Sequence, residues 1–337
     1  MKRNIYKITA LCLLAIVTGV TVYDSPASAA TTTGSQALEI APPVITFSAD
    51  PGQTKTVQIS LRNVSSGSVV VTAQANDFVA AGEDGTPKIL LDDSTPNPYS
   101  LKDWIGPVAS LTLTARQLKS LPVTITIPAN ASPGGHYGVV RFTATPPELK
   151  GTGVSLAASL GALILVNVNG KINDNLSVAQ FSTEPVDGMS WLYESAPIKF
   201  IERLKNNGNT HEQPSGQITI SDMYGKKIAN VNVNLPPRII LPSSTREFSQ
   251  ALDSQVIGNK FLFGRYTADL KLTYGANKQV ITSSLTFWVI PYKLIALAII
   301  VLVGGFFGLR FAIRRYNNHI ISKAQNQGSK PKHKSQK

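Results

Sequence analysis

The 337-residue sequence predicts an all-β body of two successive β-sandwiches followed by one C-terminal transmembrane helix. Three observations carry this. Apolar and polar residues alternate with a period of two through most of the chain, as half-buried antiparallel strands require. Clusters such as Asp50-Pro51-Gly52, Ser65-Ser66-Gly67 and Asn206-Asn207-Gly208 interrupt the alternation with turn chemistry. Residues 294–309 carry no charge, and beyond them come Lys and Arg with no Asp or Glu.

The first element is a signal peptide, residues 1–29. Lys2, Arg3 and Lys7 precede a mostly apolar stretch, 8–22, and Ala27-Ser28-Ala29 is a small-x-small cleavage pattern. The single cysteine, Cys12, lies inside this segment, so the mature chain has none and depends on its apolar core for stability. Residues 30–37 read as a linker.

Residues 38–172 form the first expected sandwich. Val57, Ile59 and Leu61 alternate with Thr56, Gln58 and Ser60, and Leu111/Leu113 and Val123/Ile125/Ile127 continue the pattern. Ala162, Ile164, Val166 and Val168 form an inward set, although Leu163 and Leu165 make that strand apolar on both faces. Residues 173–291 form the second sandwich. Val231, Val233 and Leu235 alternate with asparagines, and Tyr266, Ala268, Leu270, Leu272 and Tyr274 line one side of a long strand. A weak repeat links the halves. Leu61-Arg62-Asn63, Ile127-Pro128 and Gly135-His136-Tyr137 correspond to Leu204-Lys205-Asn206, Leu241-Pro242 and Gly264-Arg265-Tyr266. The first copy is the longer, with its extra residues between Phe78 and Trp104.

The final elements are a transmembrane helix, 292–313, and a basic cytoplasmic tail, 314–337. At about 1.5 Å per residue, twenty apolar positions cross a hydrocarbon core of about 30 Å. Trp288, Tyr292 and Lys293 sit at the outer boundary, and Arg310, Arg314 and Arg315 at the inner one. Interfacial aromatics and cytoplasmic cations place the body outside a plasma membrane and the carboxyl end inside. This topology accounts for the net charge of +12, because eleven of the 32 Lys and Arg residues belong to the signal peptide and to the segment from Arg310 onward. The body is nearly neutral, which gives no support to a nucleic-acid partner.

The segments Pro51-Gly52-Gln53, Leu61-Arg62-Asn63, Ile127-Pro128 and Gly134-Gly135-His136-Tyr137-Gly138 resemble the first domain of WxL-interacting proteins. The resemblance implies a Gram-positive surface protein with two immunoglobulin-like domains, a signal peptide and a C-terminal anchor with a basic tail. It further implies peptidoglycan association for the first domain, host proteins for the second, and WxL-domain wall proteins as partners.

Catalytic constellations are missing from the sequence. The body holds two histidines, His136 and His211, on separate expected domains, and no thiol nucleophile, Gly-x-Ser-x-Gly elbow or His-Glu-x-x-His helix. No cofactor is expected. Glu83, Asp84, Asp92, Asp93 and Asp103 lie in an oxygen-rich stretch of the kind that holds calcium, but Gly82, Gly85 and Pro87 account for it equally as a solvated turn. Trp104 and Trp191 each follow a loop, where a tryptophan either anchors a partner or closes its own sandwich. The binding candidates are therefore Trp104, Asp92, Asp93 and Trp191.

The function expected first is a non-enzymatic, membrane-anchored surface protein that binds wall polymer, wall-associated proteins, or both. The alternative is a chaperone or assembly factor that pairs a sheet edge with strands of exported subunits, using residues 69–71 or 162–168 as the edge. A sensor with a signalling tail is a third reading.

Overall fold

The computed structural model describes residues 38–92, 96–145, 158–184, 189–258 and 260–328. The expected signal peptide, the linker, Asp93 and the last nine residues of the tail lie outside them. Among the described residues nine strands build the first half: β1 (Leu38–Ala41), β2 (Val44–Ala49), β3 (Thr54–Asn63), β4 (Val69–Ala81), β5 (Thr86–Leu90), β6 (Leu111–Leu113), β7 (Leu118–Thr126), β8 (Gly134–Thr145) and β9 (Ala158–Val168).

Strands β1, β3 and β7 form one sheet, and the order β2-β9-β8-β4-β5 forms another, with β6 also paired to β4. The chain changes sheets at the cis Ala41–Pro42 peptide, where proline has no N–H to extend the β1 ladder. β2 runs parallel to β9, and its neighbours in the sheet are otherwise antiparallel. Ile59, Leu61, Val123 and Ile125 on one sheet meet Val71, Val140, Phe142, Ile164 and Val166 on the other, all fully buried. Each such side chain contributes about 1.5–3 kcal/mol of burial free energy, which is how a cysteine-free body holds together.

The second half contains β10 (Leu176–Thr183), β11 (Leu192–Tyr193), β12 (Ile198–Asn206), β13 (Ser215–Asp222), β14 (Lys227–Val233), β15 (Thr245–Leu252), the single-turn helix α1 (Ser254–Ile257), β16 (Gly264–Tyr274) and β17 (Gln279–Val289). The sheets β10-β12-β15 and β11-β17-β16-β13-β14 enclose a core centred on Phe287. Tyr193, Phe200 and Tyr266 pack around that ring at 5.7–6.2 Å between centroids. Among the described residues no sheet draws strands from both halves. Helix α2 (Tyr292–Gly328) follows β17 after two residues. Its span Tyr292–Asn318 is long and apolar enough to cross a membrane.

The structure corrects several local readings. Residues 69–71 are not an edge, because β6 and β8 flank them. Residues 163–168 are likewise enclosed, by β2 and β8. Leu235 lies beyond β14 and is exposed, since Asn234 at φ +58° turns the chain out of the strand. His136 belongs to β8 and is buried, with its ring nitrogens on the carbonyls of Ser100 and Ser132. Finally, the C-terminal helix continues fifteen residues past its expected end at 313.

Candidate functional site

The outer face of the β2-β9-β8-β4-β5 sheet is apolar where it should meet water, and the second half covers part of it. Leu163 and Leu165 project there because they alternate with the inward Ala162, Ile164 and Val166. Phe78, Tyr137, Val139 and Leu165 form a cluster distinct from both sandwich cores, with Ile239 and Leu241 of the second half packed against it. The Tyr137 ring contacts Phe78 at 6.2 Å, Tyr99 at 6.1 Å and His211 at 5.8 Å. Backbone bonds fasten the joint beside it. The Gly135 N–H donates to the Asn209 carbonyl at 2.7 Å, and the Asn209 amide donates to the carbonyls of Pro133 and Lys171 at 3.1 Å each.

Next to this joint the halves separate into a cleft of about 390 Å³. Its first-half wall includes Val44, Phe78, Leu163 and Leu165, and its second-half wall includes Ile239 and Leu241. Arg246 closes one end. Its Nη1 donates to the Ile239 carbonyl at 2.6 Å, and its guanidinium lies 5.9 Å from the centre of the Phe248 ring. The β4–β5 turn seats on this arginine. Gly85 has φ +76°, which favours glycine, and a Cβ there would meet the Arg246 guanidinium and displace it. Glu83 accepts an ion pair from Arg203 at 2.7 Å, and Arg203 also meets Glu247 at 3.1 Å. Such half-exposed pairs contribute about 1 kcal/mol or less each and act mainly as register marks.

One rim of the cleft is the free edge of β2. Sheet edges are normally guarded by charge, proline, a bulge or brevity. Among the described residues many other edges carry such guards: Glu39 in β1, Pro87 and Lys88 in β5, Lys119 and Pro122 in β7, a bulge in β10, Lys227 in β14, and Arg246 and Glu247 in β15, whereas residues 279–287 of β17, which β11 leaves unpaired, hold no charge and no proline. β6 and β11 have three residues or fewer. β2 reads Val-Ile-Thr-Phe-Ser-Ala, with no charge and no proline. Val44, Thr46 and Ser48 are exposed along it. An added strand would continue the sheet beyond β2 and carry alternate side chains on the cleft face.

Of the ionisable groups of the second half, Arg238 and Arg246 line the cleft, whereas His211, Glu212 and Glu202 do not. The cleft lining itself contains no carboxylate and no histidine. Burial lowers the His211 pKa to about 4, so its ring is neutral where it meets Tyr137. Burial, then the neighbouring Asp174 charge, raises Glu212 to about 7. Burial raises Glu202 to about 8, and its carboxylate oxygens find no hydrogen-bond partner outside their own residue. Among the described residues no three His, Cys, Asp or Glu side chains converge as a metal site would require.

No protein-family model and no curated protein matches the chain. Solved structures do. The YadV chaperone is 11% identical over 74% of this chain and 100% of its own, with a TM-score of 0.35. A chaperone–tip adhesin complex of CFA/I fimbriae biogenesis matches at 15% over 73% and 97%, with a TM-score of 0.37. The Salmonella enterica SafA pilin in complex with the SafB chaperone matches at 12% over 74% and 96%, with a TM-score of 0.33. All three are chaperones or chaperone complexes. The expected membrane-anchored binder of wall polymer has no counterpart among these neighbours and is corrected. Scores this low transfer no residue, partner or mechanism, so the assembly reading stands on the chain's own geometry.

The binding candidates from the sequence do not converge on the cleft. Trp104 stacks on His136 at 4.3 Å between ring centres and packs against the first core. Asp92 is exposed beside a separate hollow lined also by Asp77 and Lys102. Asp93 lies outside the described residues. Trp191 is exposed at the far end of the second half, where its carbonyl accepts the Trp288 N–H at 2.7 Å. Of the anchoring set, Trp288 is the penultimate residue of β17, and Tyr292, Lys293, Arg310, Arg314 and Arg315 lie on α2. The cleft had one legible signal, the doubly apolar strand containing Leu163 and Leu165. Its partner wall, residues 237–246, carries no strand pattern and gave none.

Proposed function

We propose that the chain is a non-enzymatic chaperone or assembly factor for exported protein subunits, which it receives as an extended segment added to β2 along the cleft. The observation that carries this is β2 itself: an uncharged, proline-free edge of six residues whose first, Val44, lines an apolar cleft. Backbone groups on such an edge supply affinity, and the cleft selects alternate apolar side chains of the incoming strand. On this reading 38–172 and 173–291 are two immunoglobulin-like domains, α2 crosses the membrane, and the body faces outward above a basic cytoplasmic end. The resemblance to WxL-interacting proteins nominates wall-associated exported proteins as the subunits handled.

The test is complementation. Deleting the gene should reduce correctly assembled exported proteins at the surface, as quantified by surface proteomics. Wild-type chain should restore them, and a Thr46→Lys/Ser48→Lys form should not, because lysines guard the edge without touching either core. An unchanged surface proteome, or full rescue by the double variant, would overturn the proposal.

A further inference from the structure

Four separate segments meet at the end of the second half from which α2 departs. β16 begins where β17 ends, with Gly264 opposite Val289 and Arg265 opposite Trp288. β11 pairs with the same end of β17, Leu192 lying opposite Trp288. Asp222, at the close of β13, pairs with Tyr266, which brings the β13–β14 turn alongside. The loop leading into β16 completes the group.

This end collects the exposed aromatic rings of the body. Among the described residues outside α2, the strongly exposed aromatics are Trp191, Tyr224, Phe261, Phe263 and Trp288, and each belongs to one of these segments. Tyr224 is 87% exposed and Phe261 74%. The remaining exposed apolar side chains of the body are aliphatic and scattered, or belong to Met223 in the same turn. Tyr292, the first residue of α2, follows directly. The charges are sorted as well. Asp222 turns inward to accept the N–H groups of Tyr224 and Lys226, Asp253 caps α1, and Glu194 pairs with Lys293 at 2.6 Å. Lys226, Lys227 and Arg265 project outward on the same end.

We infer that this end of the second half is a lipid-contacting surface, seated in the headgroup layer of the membrane that α2 enters. Rings with an apolar body prefer that layer, and outward lysine and arginine ends meet lipid phosphates there. The occupant is the bilayer because the patch is continuous in the chain with an apolar helix of spanning length. The inference rests on the proposal that α2 crosses a membrane. It adds that the body does not swing on a tether but is docked, which fixes the height of β2 and the cleft above the lipid.

Full-length chain reconstituted into phosphatidylglycerol/phosphatidylcholine vesicles with brominated acyl chains tests this. The chain has three tryptophans, so Trp104→Phe with Trp288→Phe leaves Trp191 as sole reporter, and Trp191→Phe with Trp288→Phe leaves Trp104. Spin labels at Phe261→Cys and Ile300→Cys, with Cys12→Ala, supply independent depths. We expect Trp191 emission to be quenched by bromolipid and the label at 261 to gain lipid-phase oxygen collisions, while Trp104 stays unquenched. A lipid-buried label at 300 with Trp191 and 261 in water would overturn docking and leave the span intact. Water at 300 would overturn both. Shielding of 191 and 261 from water without lipid quenching would assign the surface to a protein contact and overturn the inference.

Discussion

Asn63 and Asn206 occupy the same position in the two halves, each wholly buried at the end of a long strand and each closing the loop that follows. The Asn63 amide donates to the Gly67 carbonyl at 2.7 Å and its oxygen accepts the Ser65 N–H at 3.0 Å. The Asn206 amide donates to Thr210 at 2.7 Å and its oxygen accepts the Gly208 N–H at 2.9 Å. Each also reaches a segment distant in sequence, Leu113 and Thr114 in one case and Ile240 in the other.

Replacing either asparagine by alanine strands several backbone groups at once. We expect Asn63→Ala and Asn206→Ala each to cost about 2–4 kcal/mol, read as lower urea midpoints of the full-length protein in detergent. Asn206→Asp should be worse than Asn206→Ala at neutral pH, since it turns a carboxylate toward the carbonyls of Thr210 and Ile240.

Glu202 makes the protein sensitive to alkali. Its folded pKa, about 8, lies above the ordinary 4.5, so the folded state prefers the neutral acid. That preference is intact below pH 4.5 and is lost as pH rises toward 8, at a cost on the order of several kcal/mol. Stability measured from pH 5 to pH 9 should fall, and Glu202→Gln should flatten the slope. An unchanged slope in the variant would assign the pH dependence elsewhere.

His211 and Glu212, adjacent at the joint, act in opposite directions. His211 is held neutral with a folded pKa of about 4, so stability is lost as pH falls from 6.5 toward 4. Glu212 is held protonated with a folded pKa of about 7, so stability is lost as pH rises from 4.5 toward 7. Each contributes about 1–3 kcal/mol. His211→Gln should remove the acid limb of a stability profile and Glu212→Gln should reduce the alkaline one.

Gly134 holds the joint closed through its backbone. It has φ +119°, and a Cβ there would lie 2.4 Å from the Asn209 carbonyl oxygen. Gly134→Ala should cost about 1–3 kcal/mol and loosen the two halves, seen as a broader distribution of spin-label distances between Asn230 and Lys119. An unchanged distribution would show that the Tyr137 cluster alone holds the joint.

The Asn63/Asn206 equivalence was legible beforehand as Leu-Arg-Asn and Leu-Lys-Asn at strand ends, because turn chemistry is local. So were β3, β7, β14 and β16, whose alternation reports burial on one face only. The C-terminal apolar segment was equally plain, since spanning length and charge asymmetry are one-dimensional properties. Strand order is not. Residues 69–71 and 162–168 read as edges because nothing local announces β6, β2 and β8 beside them. Trp104 and Trp191 read alike, yet one stacks on a buried histidine and the other is exposed beside α2.

The sequence by itself determined where strands and turns fall, the repeat that relates the halves, and the composition of the terminal helix. Alternation, turn residues and hydropathy act over a few neighbours. Tertiary structure alone decided that Leu163 and Leu165 face residues 237–246 across a cleft, that β2 is the unguarded edge at its rim, and that Glu202 is sealed in a core. Those relations join residues up to about two hundred positions apart, whose meeting depends on which sheets stack and how the halves dock.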